Sequence, residues 1–149
     1  AGQTGIVMFQ LGEDDLRAAC THPLHMFCSD GLPRPGTKPH PRAWGAFPRV
    51  LGKLVCDDGW FGLEEAVRHM TSAPALRFGI PDRGLVRPGM VADLVLFDAD
   101  ARDLASFENP TQLPHGIRTV WVAGEAVLEE GRPTGALPGR VLGAPRRAA

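Results

Sequence analysis

The stretch HMFCSDG at residues 25–31 is the part of this chain that best indicates its fold, because a short apolar run ends there in a carboxylate followed by glycine. Strand interiors disfavour aspartate, and a charge removed from water needs a partner or a metal ion. In a barrel of alternating strands and helices, catalytic groups stand at the carboxyl ends of the strands. The pattern predicts a buried strand over residues 25–30 with Asp30 as a candidate catalytic residue at its tip.

The residues before this run predict a strand–helix–strand unit. An apolar run at residues 6–11 is typical of a buried parallel strand. Acidic residues at 13–15 suit the first turn of a helix, and Pro23 closes that helix. Short connections between two such strands imply parallel pairing with a right-handed crossover. Strand alternation would then place Cys28 on the same inward face as Asp30, as a small buried filler rather than a nucleophile.

The rest of the first half predicts a loop and three helices. Residues 31–41 contain four prolines and two glycines, which excludes regular structure there. Helices are expected over 42–55, where Pro48 would kink or restart the helix, and over 63–70, where the apolar residues recur with helical spacing. A third, short helix is expected to begin at a serine N-cap and to span 72–79.

The second half of the chain predicts a small β module. Short apolar segments alternate with turn dipeptides, and Val122–Glu125 is a candidate tight hairpin. Residues 99–116 form an irregular excursion rich in Asp, Asn and Pro. The domains are therefore expected to be 1–82 and 83–149. The predicted strands are 85–86, 93–98, 117–122 and 125–128.

Two parallel strands are too few for a closed structure, since a complete eight-stranded α/β barrel takes roughly 250 residues. The chain has 149 residues and does not begin with methionine. The expected fold class is α/β: the last two strands and helices of a TIM-type (β/α)8 barrel, followed by part of a small β-sandwich domain. The chain would then be the C-terminal part of a longer protein.

Composition narrows the function classes. A formal charge of −1 argues against a nucleic-acid-binding protein, which usually carries a strong basic excess. No apolar stretch approaches the ~20 residues needed to cross a bilayer, and the first residues lack the features of a signal peptide. Three cysteines form no disulfide pattern and fit a reducing compartment. The expected location is the cytoplasm.

Several motifs resemble known hydrolases. Residues 88–98 (PGMVADLVLFD), followed by 120–124 (VWVAG), resemble the C-terminal β-sandwich signature of the amidohydrolase superfamily. Four further segments resemble the N-acyl-D-amino-acid deacylase (D-aminoacylase) family of that superfamily, and they occur in the family's order. They are 29–33 (SDGLP), 40–52 (HPRAWGAFPRVLG), 70–75 (MTSAPA) and 107–112 (FENPTQ).

The resemblance implies an enzyme that uses zinc-activated water to cleave N-acyl-D-amino acids into a carboxylate and a D-amino acid. Its metal ligands, mostly histidines and one cysteine, lie on earlier barrel strands that this chain lacks. Asp30 matches the family's aspartate at the end of the last barrel strand, where it would act as general base and acid. It is also a possible ligand of a second metal ion. Arg42 resembles the arginine that pairs with the substrate α-carboxylate, and His40 would line the pocket or hold the loop.

Other interpretations stay open at this stage. Asp30 also fits a turn aspartate before glycine, and Arg42 fits an exposed arginine at a helix start. A compressed set of possible zinc ligands is a rival metal site, and its members are Cys20, His22, His25 and Cys28. The chain could also belong to an amidohydrolase of cyclic amides, such as a dihydroorotase or hydantoinase. A non-catalytic module that binds a partner through an exposed sheet edge is a further alternative.

A few polar residues outside these sites are expected to have structural roles. Four of them read as turn and strand-end groups that tie the β module to the barrel: Asp93, Asp98, Glu108 and Asn109. His69 and His115 are expected to be structural or solvated, and Cys56 has no evident base or metal partner.

Overall fold

The computed structural model describes residues 7, 8 and 10–142, and it shows a mixed α/β fold in which helices precede an antiparallel sheet. The helices are α1 (Glu13–Cys20), α2 (Arg42–Arg49), a π-helix (Val50–Asp57), α3 (Leu63–Met70) and α4 (Ser72–Arg77). The strands are β1 (Leu94–Arg102), β2 (His115–Val122), β3 (Glu125–Glu129) and β4 (Arg132–Pro133). None of the helices in this part of the chain has the length and apolar character to cross a membrane.

The sheet is a meander in the order β1-β2-β3-β4, and every neighbouring pair is antiparallel. The turn after β2 has positive φ at both Ala123 (52°) and Gly124 (84°), and the turn after β3 repeats this at Glu130 (47°) and Gly131 (72°). Two consecutive positive φ values define the hairpin turn whose twist matches that of the flanking strands. The predicted tight hairpin at Val122–Glu125 is therefore confirmed.

Two predictions about the second half are wrong in detail. Residues 85–86 form no strand, because no described residue pairs with them and Val86 is exposed. The expected excursion over 99–116 is shorter than predicted, since β1 continues to Arg102 and β2 begins at His115. Arg102 pairs with His115 after register shifts in the β1–β2 pairing. Both strands therefore extend beyond the apolar runs from which they were predicted.

The predicted helices form close to their expected limits. The helices Glu13–Cys20 and Leu63–Met70 are confirmed, the second with the predicted bounds. The third helix runs from Ser72 to Arg77 and so ends two residues before the predicted limit. The prediction of Ser72 as its N-cap is wrong, because the N-cap is Thr71, whose hydroxyl donates to the Val67 carbonyl oxygen at 2.7 Å. Local acidic and apolar spacing was sufficient to place these elements.

The helix predicted over 42–55 changes type within its length. Pro48 lies inside α2, and from Val50 the chain continues as a π-helix. Proline lacks an N–H group and crowds the preceding turn, so the regular hydrogen-bond pattern cannot run through it. Wider winding is a known response to such an interruption. The helical path therefore continues past Pro48 instead of ending there.

The prediction of a buried strand over residues 25–30 is wrong for this structure, because that segment has no regular secondary structure and pairs with no strand among the described residues. Of the other predicted parallel strand, positions 6 and 9 lie outside the described residues, and positions 7, 8, 10 and 11 are exposed and not in a strand. Cys28 is exposed, so the prediction of a buried filler is wrong for this structure. Burial of a parallel strand requires neighbours on both faces, and the described residues do not supply them.

Residues of helix α3 form hydrogen bonds with the chain at residues 23–27. The Phe27 N–H donates to the His69 carbonyl oxygen at 3.1 Å, and Arg68 Nη2 donates to the Pro23 carbonyl oxygen at 2.9 Å. The His69 side chain is buried, and its Nε2 lies 2.9 Å from Glu65 Oε1. His69 is thus one of the structural residues that the sequence suggested, and the segment leading to Asp30 is anchored on α3.

A small apolar core joins these helices. Its buried members are Cys20, Val50, Leu54 and Ala66, and several partly buried aromatic and aliphatic side chains pack against them. Phe27 is among those packed residues, so the chain just before Asp30 rests on the same core as the π-helix.

The sheet attaches to the π-helix through a close backbone contact at Gly52. Arg102 Nη1 donates to the Gly52 carbonyl oxygen at 2.8 Å, and Arg102 Nη2 lies 3.2 Å from an oxygen of Asp57. A Cβ atom on Gly52 would lie only 2.8 Å from the Ala101 carbonyl oxygen. The end of β1 can approach the helix this closely because residue 52 has no side chain.

We therefore expect Gly52→Ala to destabilise the 149-residue chain by about 1–3 kcal/mol, because backbone atoms cannot move aside cheaply. Helix propensity alone would give the opposite sign, with alanine favoured by about 0.5–1 kcal/mol. Urea unfolding measures the difference. Gly139→Ala is the matched control, since its Cβ would meet nothing within 4 Å. A stabilised Gly52→Ala variant would contradict the contact.

Candidate active site

The candidate site includes a tight turn at residues 29–31, where the segment 25–30 ends. The Ser29 hydroxyl oxygen accepts the Gly31 N–H at 3.1 Å, and Asp30 between them has a φ of +47°. A Cβ on Gly31 would lie 2.8 Å from the Cα of Ala43. Glycine is therefore required where the turn packs against the first turn of α2, and the aspartate before it projects beside that helix.

Asp30 and Arg42 are brought together by this packing. Arg42 Nη2 lies 2.7 Å from Asp30 Oδ2, and the two side chains remain 44% and 66% exposed. Ion pairs that are this exposed contribute little to stability, because water competes for both partners. Either group can thus exchange this partner for a ligand at small cost.

His40 lies next to this pair and makes two contacts. Its Nδ1 accepts the backbone N–H of Arg42 at 3.1 Å, and its ring meets the Phe107 ring edge-on with centroids 5.1 Å apart. Partial burial lowers the pKa of His40, the Arg42 cation lowers it further, and Asp30 opposes the shift. A lowered pKa favours the neutral imidazole, which is the form whose Nδ1 can accept a hydrogen bond.

Two loops therefore meet at the site. The proline-rich loop at 31–41 faces the loop at 103–114, which connects β1 to β2. The pKa of Glu108 is lowered mainly by a hydrogen bond from its own backbone and by the Ser106 hydroxyl, with a smaller contribution from Lys38 across the two loops. Together with the contact of Phe107 on His40, this places the second loop beside the first.

The rival zinc site is not assembled in the structure. Among residues 7, 8 and 10–142, no group of three or more His, Cys, Asp or Glu side chains could hold a metal ion. Cys20 is buried, and burial raises the pKa of its thiol, which favours the form that does not bind metals. His22 Nδ1 already accepts the Leu24 N–H at 3.2 Å, and Cys28 is exposed.

Of the acidic residues of the β module, Asp93 lies at a strand end as predicted, whereas Asp98 lies in the middle of β1, so the prediction of a turn or strand-end role is wrong for Asp98. Asp93 Oδ1 accepts the Ala123 N–H at 2.8 Å, and its other oxygen pairs with Arg83, so it fastens the start of β1 to the first hairpin turn. Asp98 lies 2.7 Å from Arg118 Nε on the neighbouring strand. These bonds act within the sheet and its approach rather than between the sheet and the helices.

The remaining polar residues of that prediction have local partners. Asn109 Nδ2 donates to Gln112 Oε1 at 3.1 Å, inside the loop. His115 is exposed and lies 3.4 Å from Asp100. Cys56 is exposed, and its sulfur lies 3.6 Å from the Ala99 carbonyl oxygen.

Two residues of the site were missed by sequence reasoning. Ser29 could have been found, because a serine two residues before a glycine is a common local turn former. Phe107 begins the 107–112 motif, but its contact with His40 could not be predicted, since it joins segments far apart in the chain.

An apolar cleft of about 560 Å³ lies between the helices and the sheet, and neither Asp30, His40 nor Arg42 lines it. Its lining includes Phe47, Leu51, Val67, Leu94, Phe97 and Ile117. This cleft is therefore separate from the candidate site, which in the described residues is an open corner between two loops.

The absence of the rival metal site can be tested in the 149-residue chain. After equilibration with zinc and desalting, we expect substoichiometric metal and no change on Cys20→Ser, because the four side chains do not converge. Thiol labelling should modify Cys28 and Cys56 in the native chain and Cys20 only after unfolding, since Cys20 alone is buried. One zinc per chain that is lost in Cys20→Ser would show that the rival site exists.

Comparison with known proteins places the chain in a family. The amidohydrolase family profile matches residues 6–128. D-aminoacylase from Alcaligenes xylosoxydans xylosoxydans is 46% identical over 93% of this chain, which spans 28% of that relative. A D-aminoacylase crystal structure superposes with a TM-score of 0.80 at 46% identity, covering 85% of this chain and 27% of the other. The crystal structure of N-acyl-D-glutamate deacylase from Bordetella bronchiseptica superposes with a TM-score of 0.75 at 43% identity, covering 83% of this chain and 27% of the other.

The chain thus spans little more than a quarter of the length of these relatives. Its mixed α/β fold matches the corresponding part of the D-aminoacylase structures. The chain belongs to the amidohydrolase family, and within that family it resembles the D-aminoacylases.

Proposed function

We propose that this chain is the C-terminal part of a hydrolase that deacylates N-acyl-D-amino acids to a carboxylate and a free D-amino acid. The observation that carries the proposal is the contact of 2.7 Å between Asp30 and Arg42, at the two positions that match the family's motifs. The 46% identity to D-aminoacylase over 93% of the chain supports the substrate class. So does the 43% identity to a deacylase solved with zinc and a phosphonate mimic of the tetrahedral intermediate.

The described residues do not fit a complete zinc site, because no three suitable side chains converge. We propose that residues outside this chain hold the zinc ion, and that the remaining barrel is required for activity. The contribution of this chain is then a proton-transfer group and a substrate anchor. We propose Asp30 as a ligand of a second metal ion only in combination with ligands from elsewhere in the protein.

Asp30 is proposed as the general base and acid. Amide hydrolysis adds water to the carbonyl carbon, breaks the carbon–nitrogen bond and leaves a proton to be delivered to the departing amine. A carboxylate can accept the proton from water and return it to the nitrogen. The position of Asp30 supports this role, because α3 anchors the segment before it and the carboxylate at the left-handed turn remains exposed.

Arg42 is proposed as the anchor of the substrate α-carboxylate. The planar guanidinium fork matches a carboxylate in bidentate geometry. In the structure one of its nitrogens, Nη2, already contacts a carboxylate oxygen, that of Asp30. The substrate carboxylate would replace Asp30 as the partner of Arg42. This exchange would free Asp30 for proton transfer when a substrate with an α-carboxylate is bound, and the exposure of both side chains makes the separation of the pair inexpensive.

We further propose that residues 1–82 contribute the last two strands and helices of a TIM-type barrel and that residues 83–149 form part of a β-sandwich. In support, the described helices end by Arg77 and the described strands begin at Leu94. The segment at 25–30 pairs with no strand among the described residues and Cys28 is exposed, which is compatible with a barrel strand that lacks its neighbours. The three free cysteines fit a cytoplasmic location.

In the full-length protein, we expect Asp30→Asn to lower kcat for an N-acyl-D-amino acid by about 10²–10⁴-fold, because the amide cannot accept the proton. Steady-state kinetics at saturating zinc measures the effect. KM should change much less, since Arg42 is retained.

Asp98→Asn is the matched control, because Asp98 is also paired with an arginine but lies within the sheet. Its kcat should stay near that of the parent. If Asp30→Asn retained the parent kcat while remaining folded, the assignment of Asp30 would be wrong.

A further inference from the structure

The corner between the proline-rich loop and α2 has an unusual hydrogen-bond arrangement. His40 lies between Pro39 and Pro41, and neither proline has a backbone N–H group. Pro41 is the N-cap of α2 and offers no side-chain acceptor to the helix. The first N–H groups of a helix lack partners within the helix and need acceptors from elsewhere.

The His40 imidazole supplies one of these acceptors. Ala43 donates its N–H to the His40 carbonyl oxygen at 3.1 Å, and Trp44 and Gly45 donate theirs to the Pro41 carbonyl oxygen. The Arg42 N–H goes instead to His40 Nδ1 at 3.1 Å. The histidine thus accepts hydrogen bonds from the first two helical residues, from Arg42 with its side chain and from Ala43 with its backbone carbonyl.

A second contact also orients the His40 ring. Its T-shaped contact with Phe107 joins the corner to the loop between β1 and β2. His40 is half-buried, and the orientation of its ring is therefore set by packing as well as by the hydrogen bond. Because the backbone of residue 42 is fixed by that bond, the direction in which the Arg42 side chain leaves the helix is fixed with it.

We propose that His40 is a positioning residue that orients Arg42 for the substrate α-carboxylate, with Phe107 holding the imidazole in place. The inference rests on the proposed function, since it needs Arg42 to be the carboxylate anchor. His40 acts through the backbone of Arg42 and not on the reacting atoms. It therefore governs how well substrates with an α-carboxylate bind, and it leaves the chemical step largely alone.

The test uses two substitutions that separate the two contacts in the full-length protein. His40→Phe keeps an aromatic ring against Phe107 but removes the acceptor. His40→Asn keeps a side-chain acceptor for the N–H two residues ahead, as asparagine commonly does in turns. We expect His40→Phe to raise KM for an N-acyl-D-amino acid about threefold to tenfold with kcat little changed, the range that loss of one neutral hydrogen bond produces. His40→Asn should restore KM to within about twofold of the parent.

A substrate without the α-carboxylate shows whether the effect passes through Arg42. For the matching N-acyl amine, kcat/KM of His40→Phe should equal that of the parent. An equal loss with both substrates, or a parent-like KM for the N-acyl-D-amino acid in His40→Phe, would overturn the proposal. Should His40→Phe not fold, Phe107→Leu provides the same comparison, because it loosens the ring without removing the acceptor. A rise in KM confined to the carboxylate substrate supports the proposal, and no rise overturns it.

Two further variants serve as references. His22 makes the same type of local bond, from Nδ1 to the Leu24 N–H at 3.2 Å, but lies away from the site, so His22→Phe should leave KM unchanged. Arg42→Lys separates the two hypotheses. If it leaves KM for the N-acyl-D-amino acid unchanged, the anchor itself is wrong. If it raises KM and His40→Phe does not, only the positioning role of His40 is wrong.

Discussion

The close approach of Gly31 to Ala43 is the contact on which the arrangement of the candidate site depends. A Cβ atom at residue 31 would lie 2.8 Å from the Ala43 Cα. The turn at residues 29–31 can therefore pack against the first turn of α2 only with glycine at position 31. This contact brings the carboxylate of Asp30 within 2.7 Å of the guanidinium of Arg42. The segment at residues 25–30 is held from behind by the hydrogen bond from Phe27 to His69 on α3. Backbone contacts rather than the ion pair therefore define where the two charged groups stand.

The exposure of these two charges supports the proposed exchange of partners at Arg42. A buried ion pair would resist separation, because each charge would be left without a partner in the protein interior, away from water. The Asp30–Arg42 pair is largely exposed and can be separated cheaply. A substrate carboxylate that takes over Arg42 would release Asp30 at the moment when a proton acceptor is needed. The pair would thus couple recognition of the α-carboxylate to readiness for proton transfer, and His40 would keep the arginine aimed at that position.

Sequence reasoning predicted those features that depend on neighbouring residues in the chain. The acidic first turn of α1, the apolar spacing of α3 and the turn dipeptide Ala123–Gly124 each carry their signal locally. The motif residues Asp30, His40 and Arg42 were also found, and the structure brings them together. The exposure of Cys28 was not predicted, because burial of a strand is decided by neighbours elsewhere in the fold. The contact of Phe107 with His40 was not predicted for the same reason, although Phe107 lies in the 107–112 motif. The π-helix after Pro48 was not predicted, because the sequence does not distinguish a helix that continues past a proline from one that begins again after it.

The exchange of partners at Arg42 is the central claim, and a crystal structure of the full-length protein with zinc and an unreactive N-acyl-D-amino acid analogue tests it most directly. The account predicts that the guanidinium of Arg42 binds the analogue's α-carboxylate through two hydrogen bonds. It also predicts that the Asp30 carboxylate, released from Arg42, lies within hydrogen-bond distance of the water or amide nitrogen that exchanges the proton. A complex in which other groups hold the α-carboxylate while Arg42 remains on Asp30 would contradict the account.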